Sequence, residues 1–237
     1  LGGGVILPAP EDSLYVFDEG HQLPAKCLNQ FALRFHSGGT LQGLRDSERW
    51  LAASAEAWMA QGLDRRLIPA MTSLVGDLIQ RSEDIAELLW QLLPEADFER
   101  AEHRFPHGRI PADLAEQAAG LVAQWDQLYR EATRLEAALE NSQTAGSSSA
   151  DSAIAGAADP DLNLANAQGL VARAEQQLAV WRAFADAPGE GEPGDGWARW
   201  CQHRGTPQTV ECQASPILPG ELLHDALWQR AAGAVIT

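Results

Sequence analysis

The chain has 237 residues, enough for one large domain or two modest ones, and a net charge of −16 from 17 basic and 33 acidic residues. That balance argues against a general phosphate-binding surface, because non-specific nucleic-acid affinity rests on clustered cations; a local basic patch remains compatible with it. Three cysteines, Cys27, Cys201 and Cys212, make no disulfide scaffold and suit a reducing, cytoplasmic setting, and no apolar run approaches the roughly 20 residues that cross a bilayer.

In chain order, residues 1–13 read as a loop. Leu14 to Phe17 then form a short unbroken apolar run, the pattern of a strand buried on both faces. Asp18 and Glu19 close it, followed by Gly20 and His21. The carboxyl end of a strand is where open α/β sheets place ligand chemistry. A nucleotide hydrolase needs one carboxylate there for the hydrated magnesium ion that neutralises the phosphates, and a neighbour to orient or polarise the attacking water. Asp18 and Glu19 fit those roles in order. The plainer alternative is an acid pair that closes a surface strand.

The phosphate cradle is the missing half. A Walker A loop needs Gly-Lys-Ser/Thr, its lysine reaching the phosphates. The one lysine, Lys26, sits in LPAKCL and cannot serve, and no lysine follows Gly2 to Gly4. Either the chain is a piece of a longer protein, or the acid pair is not a nucleotide site.

Beyond His21, Leu23-Pro24 opens a helix, since proline is tolerated in a first turn, and Ser37-Gly38-Gly39-Thr40 is expected to break the chain. Apolar residues at near-helical spacing predict helices over residues 41–61 and 69–93, with Pro94 as a stop. Residues 95–111 are charged and irregular, with Arg100, Arg104 and Arg109 making the most cationic stretch. After Pro111, Leu114, Ala118, Leu121, Trp125, Leu128, Ala132, Leu135 and Leu139 alternate steps of four and three. That is a coiled-coil-like seam over about 27 residues, roughly 40 Å of helix.

Residues 141–160, poor in apolar side chains, read as a loose tip. A partner helix follows, carrying Leu164, Ala167, Val171, Ala174, Leu178 and Trp181 on one stripe; the two are expected to form an antiparallel hairpin. Residues 188–196 form a second loose stretch. A strand over 209–214, a helix over 221–230 and a last strand over 234–236 complete the chain, with the helix as a right-handed crossover between parallel strands.

Metal sites are poorly supported. Cys201, His203 and Cys212 lack the second close pair of a structural zinc site, and His103 and His107 lack a zincin's glutamate and flank Pro106. Most tryptophans fall on apolar stripes and read as core; Trp197 and Trp200 do not, and lie near Arg199 and Arg204.

The string DEGHQLP resembles the Walker B or DEAH-type box of superfamily 2 helicases, with Gly20 for the usual alanine, and is most similar to the DinG branch of the XPD-like DNA helicases. WQRAAGAVIT, at residues 228–237, resembles the stretch leading into that family's motif III, which implies that the strands at Leu14–Phe17 and 234–236 lie side by side and parallel, with Asp18 and Thr237 at one carboxyl edge. The resemblance implies an α/β fold with a large all-α insertion: a partial RecA-like parallel sheet interrupted by a helical arch. Residues 1–24 and 201–237 would belong to the first motor domain and 25–200 to the arch. It implies ATP hydrolysis driving 5′ to 3′ translocation on single-stranded DNA, with Glu19 and His21 catalytic, Asp18 and Glu19 at the nucleotide, and Asp18 on Mg²⁺ through water. His21 would couple the phosphate site to motif III. Arg100, Arg104 and Arg109 become candidate DNA contacts. The family's 4Fe-4S cluster would be held by cysteines outside this chain. Implied partners are single-stranded and forked DNA and a single-stranded DNA-binding protein, with the enzyme a monomer. The alternative is a non-enzymatic acidic α-helical interaction module in which DEGH is accidental.

Overall fold

The structure, a computed structural model, describes residues 9–60, 62–93, 101–146, 159–189, 192–203 and 209–237. Its first strand, β1 (Leu14–Phe17), pairs in parallel with its last, β6 (Gly233–Ile236), in the register Leu14 to Gly233 through Phe17 to Ile236. Between them run α1 (Leu23–Phe31), β2 (Leu33–His36), α2 (Ser37–Ala60), α3 (Leu67–Gln91), β3 (Glu102–Phe105), α4 (Ala112–Gly146), α5 (Pro160–Ala185), β4 (Trp197–His203), β5 (Val210–Pro216), α6 (Pro219–Leu223) and a π-helical turn (His224–Trp228). Among the described residues the result is a mixed α/β fold with a large helical portion and two small sheets. Among the described residues no helix is long and apolar enough to cross a membrane.

Every residue of the expected α4 seam, from Leu114 to Leu139, is buried. Its partner is α5, which begins with an Asp159 cap on the Asp161 amide and Pro160 in the first turn. Arg182 of α5 reaches Asp126 of α4 at 3.5 Å. Asp126 precedes the end of α4 by 20 residues and Arg182 follows the start of α5 by 22, so the two helices run antiparallel. The buried face of α5 is wider than one stripe because it serves two neighbours. Of the expected stripe Ala167, Ala174, Leu178 and Trp181 are buried and Leu164 and Val171 half-buried; Leu170, Val180 and Phe184 are buried besides, and Trp181 packs on Phe35 of β2 with ring centroids 4.8 Å apart.

That second neighbour is an antiparallel sheet in the order β2-β5-β4-β3, of which only β5 is legible as a strand in the sequence. Residues 101–109 are not irregular throughout: His103 and Phe105 face Cys201 and Arg199 across the β3–β4 ladder. β2 and β3 are only four residues long, and in β4 a buried arginine on the inward side with Ala198 and Trp200 on the outward side blurs the alternation on which a strand is recognised.

Three further expectations are corrected. Ser37-Gly38-Gly39-Thr40 opens α2 instead of breaking the chain. His36 Nδ1 accepts from the Gly39 amide at 3.1 Å and Ser37 Oγ from the Val210 amide at 3.0 Å, so local side-chain bonds start the helix against β5. The crossover expected between β5 and β6 is absent, because β5 is hydrogen-bonded on both edges, by β2 and β4, and has no edge left for β6. Finally, β1 is not buried on both faces. Phe17 sits edge-on to Trp228 at 5.4 Å, but Leu14 and Val16 are 79% and 72% exposed. A two-stranded ribbon packed on one side has no second layer for them.

Candidate functional site

The carboxyl end of β1 is tied to the end of β6. The Thr237 amide donates to the Phe17 carbonyl at 2.9 Å, continuing the ladder by one residue. The chain then turns at Glu19, which adopts the left-handed conformation (φ 56°, ψ 48°) that a non-glycine residue seldom takes. This turn brings the Gly20 amide back to the Thr237 carbonyl at 2.8 Å. A Cβ at position 20 would overlap the Ile236 Cγ2 methyl, so glycine at this position has a steric reason.

The acids stand at this junction. Asp18 Oδ1 accepts from the Glu19 amide and from the Thr237 hydroxyl, both at 3.0 Å. Glu19 Oε2 lies 3.1 Å from His21 Nδ1, with both side chains exposed. The contacts to β6 are thus made by Asp18 and Gly20, while His21 turns back on Glu19. A shallow pocket of about 220 Å³ includes Asp18, Glu19, Gln22 and Lys26 in its lining. Lys26, which lies in no phosphate-loop string, reaches this lining because α1 follows the turn directly.

Asp18 fits a magnesium ion shared with a nucleotide, which takes one or two protein carboxylates and fills its remaining positions with water and phosphate oxygens. An all-protein cage does not fit: among the described residues no group of three or more His, Cys, Asp or Glu could hold a metal. A 4Fe-4S cluster does not fit the cysteines present. Cys201 and Cys212 face each other across β4 and β5, and burial pushes the Cys201 thiol up to about 12 and that of Cys212 well above its ordinary value. Buried protonated thiols are poor ligands. Cys27, also raised by burial, stands in α1.

A second concave feature, a groove of about 1140 Å³, is bordered by β3, β4 and α6. Arg104 and Arg109 line it beside Trp197 and Trp200. Arg104 pairs with Glu102, and Arg109 Nη2 donates to the Glu192 carbonyl. Glu102, Asp195, Glu221 and Asp225 share the lining, so the cationic character of the sequence stretch is offset in three dimensions. Arg100 lies outside the described residues, as do Pro94 and Arg204.

Over its whole length the chain is 27% identical to the ATP-dependent DNA helicase DinG of Photobacterium profundum. That is distant homology. The aligned part is 32% of that protein, so the chain spans about a third of the length of the curated relative it matches. No protein-family model matches the chain.

Proposed function

We propose that the chain is the Walker B side of the first motor domain of an ATP-dependent DNA helicase, together with its arch insertion. The observation that carries this reading is the parallel pairing of β1 with β6, which brings Asp18 and Thr237, 219 positions apart in sequence, into hydrogen-bond contact at one sheet edge. A RecA-like sheet interrupted by a long insertion needs such a pairing. The distant similarity to DinG along the whole chain supports the same reading. We place the insertion at about residues 33–216, a shift from 25–200, because β4 and β5 share a sheet with β2 and β3 and a core with α2 to α5.

In the intact protein Asp18 would hold the hydrated Mg²⁺ that offsets phosphate charge. Glu19 would orient the attacking water, with His21 against its carboxylate. The ATP cradle and the 4Fe-4S cysteines would come from elsewhere in the polypeptide. The enzyme would translocate 5′ to 3′ on single-stranded DNA, with Arg100, Arg104 and Arg109 as candidate contacts and Trp200 as a stacking surface; cations interleaved with aromatics are how single strands are gripped without sequence preference. Forked duplexes and a single-stranded DNA-binding protein are the expected partners of a monomeric, cytoplasmic enzyme.

The test is Glu19→Gln in the intact protein. Nucleotide binding is retained while turnover falls by about 10²-fold or more, the usual loss of a positioned base or electrostatic contact. Wild-type turnover would remove Glu19 from the mechanism. The absence of a Gly-Lys-Ser/Thr loop from the rest of the polypeptide would remove the helicase reading and leave the acidic interaction module.

A further inference from the structure

Thr237 is held by its backbone on two sides, its amide on the Phe17 carbonyl and its carbonyl under the Gly20 amide. Its hydroxyl lies 3.0 Å from Asp18 Oδ1 and 3.4 Å from the Phe17 carbonyl, so the carboxylate is the nearer acceptor. The Glu19 amide falls on that same oxygen. Among the described residues Asp18 Oδ2 accepts no hydrogen bond. A carboxylate tied through one oxygen has its plane fixed and its other oxygen free, which is how outer partners orient metal-binding side chains.

We propose that Thr237 is a positioning residue for Asp18, holding Oδ1 so that Oδ2 is left for the hydrated divalent cation of a bound nucleotide. This inference rests on the nucleotide-hydrolysing reading above. Gly20 and Ile236 are the matched pair that permits the arrangement: the Gly20 amide reaches Thr237 only because no Cβ stands in the way of the Ile236 methyl. The end of β6 therefore enters the phosphate site through a side chain as well as through the ladder.

The experiment measures Mn²⁺ affinity by electron paramagnetic resonance in the intact protein with ADP present. Thr237→Val keeps the β-branched shape and removes the donor, and should weaken Mn²⁺ binding about tenfold, while Thr237→Ser should restore it to within about twofold. Gly20→Ala should show the same loss, and adding Ile236→Ala should recover it. A purely structural role would instead lower the unfolding midpoint of Thr237→Val and leave Mn²⁺ affinity unchanged. That result, alongside a clear loss in Asp18→Ala, overturns the inference and spares the nucleotide reading. Wild-type Mn²⁺ affinity in Asp18→Ala overturns both.

Discussion

Arg199 is a charged residue on the inward face of β4, only 3% exposed, and its surroundings explain why it is tolerated. Its guanidinium donates to the Ala183 carbonyl at 2.6 Å, the Gly108 carbonyl at 3.0 Å and both oxygens of Asp195, at 3.1 and 2.5 Å. One side chain thus joins the end of α5, the turn after β3 and the entry to β4. Arg199→Met should cost about 3 kcal/mol or more in chemical unfolding, since it strands a carboxylate and two carbonyls. Burial alone would push the Asp195 carboxyl up, but hydrogen bonds from Arg199 and the Trp197 amide outweigh it and hold Asp195 below its ordinary 3.8. A depressed carboxylate stabilises the fold fully above its unfolded value and loses that contribution as pH falls through the folded one. Stability from this pair should therefore be level from neutral pH to about pH 4 and decline below it, and Asp195→Asn should remove that part of the acid slope. Gly108 completes the cluster: its φ is +73° and a Cβ there would strike the Trp197 carbonyl, so Gly108→Ala should destabilise by more than about 1 kcal/mol.

Among the elements, the α4–α5 hairpin and the β1–β6 ribbon are opposites in how they are held. Leu121 is fully buried in the hairpin seam, and Leu121→Ala should cost about 2–4 kcal/mol by urea unfolding. Val16 is as apolar but 72% exposed, and Val16→Thr should change stability by less than about 0.5 kcal/mol. Equal losses at the two positions would mean that the ribbon is packed as deeply as the bundle. The ribbon is instead secured by backbone hydrogen bonds, by Phe17 on Trp228, and by Arg230 on Glu11 at 2.7 Å. These hold its geometry while leaving Leu14, Val16, Val235 and Ile236 uncovered.

For the whole molecule, the sharpest expectation is catalytic silence of the 237-residue chain by itself. On the proposed reading Asp18 and Glu19 serve a cation and a water, but the sequence has no Gly-Lys-Ser/Thr string for the phosphates, so steady-state ATP turnover should not exceed that of a Glu19→Ala control. Turnover above that control would mean that the acids work without a cradle. What the sequence determined by itself was whatever depends on neighbours along the chain. The α4 seam was legible because 3-4 spacing puts its apolar residues on one face whatever lies opposite. The order strand, Asp18, Glu19, Gly20, His21 was legible because the turn residues follow the strand directly. Tertiary structure decided what depends on partners distant in sequence. Only the paired fold showed that β2, β3 and β4 are strands, since β2 and β3 are four residues long, β4 carries Ala198 and Trp200 on its outward side, and Arg199 is made acceptable inside by groups from α5 and two loops. Only it turned Gly38 and Gly39 into a helix start, through His36 and the Val210 amide. The parallel neighbourhood of the Leu14 and Val235 strands was legible through the resemblance of the chain's two ends, and the β1–β6 ladder bears it out; only the structure supplied the hydrogen bond from the Thr237 hydroxyl to Asp18 and the clash that reserves position 20 for glycine.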